Sequence, residues 1–237
     1  VFFLVLELSL VVPAYNEEKR IAPVLENLLS FFRKKRMSFE MIVVCNNCSD
    51  STPKIVESLA KKNTEIVFLN FPFYTGKGGA VLKGFKAARK KIVGFADADE
   101  STAPSQFFKI YSAVVNGFDA AIGSRAISGS LVAKRQPFYR FIAAQFYRSL
   151  VELLFGLGIP DTQCGAKVFK KSAIDTVQPL MKSHGWEFDV ELLWRIKQNG
   201  FAIKQVPIVW KDAKYSRFSF TATPKMFFAL LKRRIGL

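Results

Sequence analysis

The sequence predicts an α/β fold with a mostly parallel central sheet and helices on both of its faces. Two observations predict it. Short apolar runs and amphipathic stretches alternate four times within about the first 100 residues, the rhythm of strand–helix units. The amphipathic stretches carry apolar residues at helical spacing, whereas the runs between them are strand-sized. A sheet of this kind binds its ligand outside the carboxyl ends of its strands. Four loops fall there: Pro13 to Glu17, Cys45 to Asp50, Phe71 to Lys77, and Asp97 to Ser101.

The first strand is expected over Leu6 to Val12, from its alternation, and Pro13 is expected to break it. Glu17 to Phe32 carries Ile21, Val24, Leu25, Leu28, Leu29 and Phe32, one helical stripe. Asn16 is a candidate cap for it, and the basic cluster Arg33 to Arg36 closes it at the negative end of the dipole. Phe39 to Val44 reads as a second strand. Ser51 and Pro53 open a helix that runs to Lys62. Glu65 to Leu69 is the third strand, and the glycine-rich loop Gly76-Lys77-Gly78-Gly79 leads into a third helix. Ile92 to Ala96 is the fourth strand.

The second half is less regular. Helices are expected over Pro104 to Val115, Pro137 to Gly156 and Glu187 to Gln198. Strands are expected over Asp119 to Ile122 and Gly165 to Phe169, with an extended segment from Ala202 to Trp210. Most of the long helix at 137–156 is expected to pack in the core. An amphipathic helix at 224–235 combines Met226, Phe227, Leu230 and Leu231 with Lys225, Lys232, Arg233 and Arg234, which suits a membrane interface. No repeat or low-complexity linker interrupts the chain, so residues 1–237 are expected to form a single domain.

Composition narrows the partners. The formal net charge of +16 implies something anionic: nucleic acid, a membrane surface or a phosphorylated substrate. No stretch reaches the roughly 18 apolar residues of a spanning helix. No basic n-region or cleavage site suggests a signal peptide. The three cysteines, Cys45, Cys48 and Cys164, are too few for a disulfide scaffold and fit a reducing compartment. A redox pair at Cys45 and Cys48, or a zinc site adding Cys164 and His184, is arithmetically open but rests on one spacing. Packed thiols are the simpler reading.

Asp97-Ala98-Asp99 is the chemical focus. Two carboxylates one residue apart, at the end of a buried strand, are costly unless a positive charge sits between them. A divalent cation is the simplest partner, and oxygen-only ligands suit Mg²⁺ or Mn²⁺. The competing reading is an aspartate-rich loop in which Asp99 caps the next helix. Ser101 adds a ligand or caps the helix at Pro104.

These features together resemble a known family. Val11-Val12-Pro13-Ala14-Tyr15-Asn16-Glu17-Glu18, Asp50-Ser51-Thr52, Gly76-Lys77-Gly78-Gly79-Ala80 and Asp97-Ala98-Asp99 match, in order and spacing, the family 2 glycosyltransferases of the GT-A fold. The second half resembles a narrower group, the polyprenyl-phosphate sugar transferases and especially the dolichyl-phosphate glucosyltransferases. The matching residues are Gly123-Ser124-Arg125-Ala126, Ala133-Lys134-Arg135, Asp161-Thr162-Gln163-Cys164-Gly165-Ala166-Lys167 and Trp186-Glu187-Phe188-Asp189-Val190-Glu191.

The resemblance implies a GT-A (Rossmann-like) domain over the whole chain. It implies a nucleotide-sugar site made of Pro13, Ala14, Tyr15, Glu17, Asn46, Asp50, Lys77, Asp97 and Ala98. Asp99 would hold the metal, with Asp97 on the ribose or in the metal shell. Arg125, Lys134, Arg135 and Arg217 are candidates for the acceptor phosphate. Asp161 would orient the acceptor or act as a base. Relatives commonly have two acidic residues where Cys45 and Asn46 stand, so recognition of the base departs from the pattern here. Asn both donates and accepts hydrogen bonds.

The implied reaction is metal-dependent, inverting transfer of a hexose to a polyprenyl (dolichyl) phosphate. UDP-glucose is the favoured donor and GDP-mannose the alternative. A lipid phosphate is already ionised and needs cations rather than a base. A family 2 enzyme that extends a glycan remains an alternative, and would need Asp161 or Asp189 as base. A basic nucleic-acid-binding protein is the alternative from another class, without a motif to support it. Relatives often have C-terminal spanning helices. Here attachment is expected to be peripheral, on the cytoplasmic face of a membrane, through basic and aromatic residues.

Overall fold

The structure is a computed structural model that describes residues 6–132, 138–211, 230–231 and 234. In the first half, strands β1 (Glu7–Ala14), β2 (Ser38–Asn46), β3 (Ile66–Phe71) and β4 (Ile92–Ala96) alternate with helices α1 (Ile21–Lys34), α2 (Thr52–Lys62), α3 (Gly76–Ala87) and α4 (Pro104–Val115). Then come β5 (Ala120–Ser124), β6 (Leu131–Val132), α5 (Phe138–Phe155), β7 (Ala166–Lys170), α6 (Lys171–Val177), a 3₁₀ turn (Gln178–Leu180), α7 (Phe188–Gln198), β8 (Ile203–Pro207) and β9 (Val209–Trp210).

Seven strands form one sheet in the order β3-β2-β1-β4-β7-β5-β8. β7 alone runs against its neighbours, wedged between β4 and β5, while every other pair is parallel. The side chains of β1 show why both faces are covered. Leu8, Leu10 and Val12 enter the apolar layer under α1 and α4. Val11 enters the layer under α3 and α7. Alternate residues of a strand point to opposite faces, and here each face has its own helices. The polar Ser9 is buried because its hydroxyl donates to Glu40 Oε1 at 2.7 Å, and Glu40 in turn accepts from Arg89 Nε at 2.8 Å.

The fold departs from expectation at particular places. β1 continues through Pro13, which pairs with Val44, and ends at Ala14. The ladder to β4 has already finished at Val11, so the missing proline N–H is tolerated much as on an edge strand. α1 begins at Ile21 rather than Glu17, and Asn16 does not cap it. Asn16 is left-handed, with φ 54°, and the amides of Glu17 and Glu18 bond to Thr52 and Asp50 instead. Gly76 to Gly79 form the first turn of α3, not a loop before it. α6 and β6 were not expected. α5 packs through Val151 and Phe155 but leaves Phe146 and Leu153 exposed, at 66% and 83%. Of the helix expected at 224–235, Leu230, Leu231 and Arg234 are helical, and the rest lies outside the described residues.

Gly84 marks the tightest packing between helix and sheet away from the site. A Cβ there would lie 2.3 Å from Val11 Cγ1 on the central strand, which has no room to retreat. Alanine gains about 1 kcal/mol in helix propensity, but overpacking against a β-branched core residue costs about 1–3 kcal/mol. Gly84→Ala is therefore expected to lose stability, by up to about 2 kcal/mol in urea unfolding, rather than gain it.

Candidate active site

The carboxyl ends of β1 and β2 carry two loops that are bolted together. Asn16 Oδ1 accepts from Ser49 N at 2.7 Å. Asp50 Oδ2 accepts from Glu18 N at 3.1 Å, and Asp50 Oδ1 from Thr52 N and Thr52 Oγ1 at 3.0 and 2.6 Å. Thr52 Oγ1 accepts from Glu17 N at 2.7 Å. The left-handed Asn16 is what folds the first loop back onto the second. Asp50 thus ties the start of α2 to the Glu17–Glu18 turn. Tyr15 stands half-exposed above the loops, edge-on to Tyr74 with centroids 6.1 Å apart. Pro13 and Ala14 are the last residues of β1, and Ala14 is buried. Glu17 turns to Arg20, with Oε2 at 2.5 Å from Nε. Sequence reasoning passed over Arg20. Burial opposes its charge, but Glu17 and then Asp99 and Asp97 hold its pKa above the ordinary arginine value.

Asn46 does use both its donor and its acceptor, but on the protein. Its Nδ2 donates to Gly76 O at 3.1 Å, and its Oδ1 accepts from Thr75 N and Thr75 Oγ1 at 2.9 and 3.0 Å. It fixes the entry to α3 from a buried position instead of presenting a free amide. The cysteines are all free thiols, with Cys45 and Cys164 buried. Cys48 lies under the Asn16 loop, its Sγ 3.5 Å from both Asn16 N and Ala14 O. Among the described residues no three His, Cys, Asp or Glu side chains gather to hold a metal, so no zinc site forms.

The glycines of α3 serve close packing of the chain on itself. A Cβ on Gly76 would lie 2.0 Å from His184 O, and one on Gly78 2.4 Å from Phe188 Cβ. The amides of Gly78 and Gly79 donate to Gly185 O and His184 O at 3.3 and 3.0 Å. The space beside these glycines is therefore filled by residues 184–188. Lys77, between them, turns the other way and places Nζ 2.8 Å from Asp97 Oδ1. Burial opposes its charge, but Asp97 and then Asp189 hold its pKa above the ordinary lysine value. The positive group beside the Asp pair is thus a lysine.

Asp97 is held by its backbone, which donates to Gly165 O at 3.0 Å. Gly165 is required there, because a Cβ would sit 1.8 Å from Asp97 Oδ2. Ala98 is buried beneath the turn. Asp99 Oδ1 accepts from Ser101 N at 3.0 Å. Neither Asp99 nor Ser101 caps α4, which starts after Ala103 with no side-chain cap. The aspartates are therefore spent on the turn and on Lys77, and the helix-cap reading fails.

Across the edge, Arg125 and Asp161 form a forked pair. Arg125 Nε and Nη2 donate to Asp161 Oδ2 and Oδ1 at 2.8 and 2.7 Å, and Arg125 N adds a third bond at 2.8 Å. Trp210 lies against the guanidinium, 5.2 Å from its ring centre. Burial would raise Asp161, but the charge and hydrogen bonds of Arg125 hold it below the usual carboxylate range. Lys134, Arg135 and Arg217 lie outside the described residues.

A profile of the family described as Glycosyl transferase family 2 matches residues 9–178. The chain belongs to that family. Curated relatives include a dolichyl-phosphate beta-glucosyltransferase of Trichomonas vaginalis, 32% identical over 94% of this chain and 69% of its own length. The Saccharomyces cerevisiae and Homo sapiens proteins of the same name are 33% and 30% identical, over 90% and 89% of this chain and 69% of each. Among solved structures, glucosyl-3-phosphoglycerate synthase from Mycobacterium tuberculosis, in complex with Mn²⁺, UDP and phosphoglyceric acid, superposes with a TM-score of 0.74 at 19% identity, over 98% of this chain and 79% of that one. At that identity the likeness shows the fold, which is GT-A-like.

Set within this family, the donor atoms at the Asp pair fit a hard divalent cation. Asp99 and Asp97 offer only oxygens, and two carboxylates leave coordination positions for phosphate oxygens, the usual arrangement for Mg²⁺ and for Mn²⁺ in such sites. Behind the pair lie charges that sequence reasoning underrated. Lys167 Nζ, fully buried, bonds to Asp189 Oδ1 at 2.5 Å and to Cys164 O at 2.6 Å. Asp189 Oδ2 is buried with no hydrogen-bond partner among the described residues. Glu191 accepts from Ser183 N at 2.7 Å and from Arg195 Nη2 at 3.1 Å, which pins the segment before α7. Tyr147 on α5 bonds to Gln163 at 3.3 Å, and burial followed by the charges of Asp189 and Glu187 pushes its hydroxyl well above the ordinary tyrosine value. Nothing in the sequence singled out Tyr147. Only its register on α5 brings it here.

Removing one partner of a buried pair leaves an uncompensated charge, at a cost of about 3–5 kcal/mol. Asp161 is 3% exposed and Arg125 25%, so the two substitutions differ. Arg125→Ala strands the carboxylate and is expected to cost about 3 kcal/mol by chemical unfolding at pH 7, more than Asp161→Asn, which leaves an arginine that can reach water. Because the folded pKa of Asp161 is depressed, its contribution is full above the unfolded value of about 3.9 and is lost as pH falls through the folded value. The stability of Asp161→Asn should accordingly fall less than wild type between pH 6 and pH 3.

Proposed function

We propose that this chain transfers glucose from UDP-glucose to a polyprenyl (dolichyl-type) phosphate, with inversion at the anomeric carbon and with Mg²⁺ or Mn²⁺. The relatives' shared name supports the sugar and the lipid. The observation that carries the choice of acceptor is the forked Arg125–Asp161 pair. The pair keeps Asp161 ionised and occupied, so the edge offers a fixed guanidinium rather than a free base. A phosphate monoester arrives already charged at neutral pH and needs positioning and shielding. A sugar hydroxyl needs a base, and Asp189, the remaining candidate, is fully buried against Lys167. That argues against extension of a glycan.

In this reading Tyr15 and the bolted Asn16–Asp50 loops flank the nucleotide base. Asp99, with Asp97, would hold the metal, which supplies positive charge to the diphosphate as it departs. Arg20 shields the same edge from the β1 side. Arg125, oriented by Asp161 and Trp210, draws the acceptor phosphate into line, with Lys134, Arg135 and Arg217 as further cations. The 237 residues act as a single catalytic domain, built on the seven-stranded sheet. Among the described residues no helix is long and apolar enough to cross a membrane. Exposed Phe146 and Leu153 on α5, together with the segment at 224–235, support peripheral attachment on the face where lipid phosphate is presented. GDP-mannose is the competing donor.

The test is direct. The protein is incubated with radiolabelled UDP-glucose, GDP-mannose or UDP-N-acetylglucosamine, a short-chain dolichyl phosphate and Mn²⁺ or Mg²⁺. Labelled lipid from UDP-glucose is expected. Label in a glycan acceptor, with none in lipid from any donor, would sink the proposal. Asp99→Ala should lose about 100-fold or more in turnover while its thermal unfolding stays close to wild type.

A further inference from the structure

Lys77 occupies the position that metal binding would contest. Its ammonium is the ion-pair partner of Asp97, and its side chain is only 11% exposed. The rings of Phe95 and Trp186 flank it at 5.8 and 5.2 Å. A lysine and a divalent cation on one carboxylate repel each other. Lys77 therefore competes with a cation for Asp97, and its backbone cannot follow a retreating side chain. Gly78 and Gly79 beside it are tied to Gly185 and His184, so the movement is confined to the side chain.

The fold provides a second acceptor. Asp189 Oδ2 is fully buried and makes no hydrogen bond among the described residues, although its sister oxygen holds Lys167. Leaving such an atom open costs about 1–3 kcal/mol, more for a charged group, so it needs an explanation. Phe95 lies against both lysines, 5.8 Å from Lys77 Nζ and 5.1 Å from Lys167 Nζ, so the two ammonium groups share one wall.

We propose that Lys77 is a two-position counter-ion, which neutralises Asp97 in the free protein and transfers to Asp189 Oδ2 when a divalent cation and a nucleoside diphosphate enter. This rests on the metal-dependent reading above. It makes Lys77 a positioning residue that sets the order of binding. The free protein takes up metal poorly by itself, because Asp97 is already paired. The diphosphate, by adding phosphate oxygens, tips the exchange. Asp189 Oδ2 then gains a donor that it lacks among the described residues.

The experiment measures Mn²⁺ binding to the full chain by electron paramagnetic resonance, with and without UDP. Folded Lys77→Met is expected to bind Mn²⁺ alone about 10-fold more tightly than wild type, with a smaller gain when UDP is present. Asp189→Asn is expected to weaken Mn²⁺ binding about 5-fold where Lys77 is present and to have no effect in the Lys77→Met background, the non-additivity of a coupled pair. A crystal structure of the wild-type protein with Mn²⁺ and UDP needs no variant. It should place Lys77 Nζ within hydrogen-bond distance of Asp189 Oδ2, and it decides the second position if Asp189→Asn does not fold. Unchanged or weaker Mn²⁺ binding by Lys77→Met, or Lys77 still on Asp97 beside a bound cation, overturns the proposal while leaving the metal-dependent reading intact. Failure of wild type to bind Mn²⁺ even with UDP overturns both.

Discussion

Charge balance in a confined space governs this sheet edge. Carboxylates at the ends of buried strands lose hydration, and each has to recover that loss from a neighbour. Asp161 recovers it from Arg125, Asp189 from Lys167, and Asp97 from Lys77. Of these four aspartates at the edge, Asp99 alone has no ion pair among the described residues, and its one hydrogen bond comes from Ser101 N. That makes Asp99 the carboxylate best able to take an added cation without first giving one up. Asp97 is already paired with Lys77. The inequality between two adjacent aspartates follows from where the lysine of α3 falls.

The antiparallel strand β7 creates much of this arrangement. Its entry between β4 and β5 puts Gly165 against Asp97 and Lys167 beneath Asp189. A fully parallel sheet would bring only strand–helix turns to the edge. The segment leading into β7 brings Asp161, Gln163 and Cys164 to the same place from the opposite direction. The Asp97 turn and the Arg125–Asp161 pair therefore meet along β7, and Gly165 is the tight point beside Asp97.

The alternation of strands and helices was legible because each unit carries its own pattern. Ile92–Ala96 and Pro104–Val115 match expectation to the residue, since Pro104 sets the start of α4 and the Asp pair ends β4. The loops were legible as a place but not as contacts. Gly76-Lys77-Gly78-Gly79 reads as room for a ligand, and a glycine's missing Cβ cannot say whose backbone fills the room. Here His184 and Gly185, about a hundred residues later in the chain, fill it. Asn46 misled for a related reason. Its capacity to donate and accept was correctly expected, but Thr75 and Gly76 consume that capacity. Pro13 was read as a strand breaker because sequence does not show that the β4 ladder ends before it. Ion pairs such as Lys167 with Asp189 depend on two distant segments, and only the matched motifs hinted that either residue had work to do.

The excess of positive charge is a weaker guide than it first seems. α1 and α2 close on Arg33 and Lys34 and on Lys61 and Lys62, α3 carries Lys86 in its last turn, and α7 ends on Arg195 and Lys197. Cations there answer the negative end of each helix dipole. Each of these helices runs back against its strand, so its last turn lies at the amino edge of the sheet, opposite the Asp pair. Screening limits the reach of such surface charges to about 8–10 Å at physiological ionic strength. They therefore contribute little to the potential at the site, where carboxylates and cations are almost matched. A +16 chain can present a nearly neutral active edge. What the edge offers an anion is the fixed direction of a few cations, Arg125 above all, and not the sum over the surface.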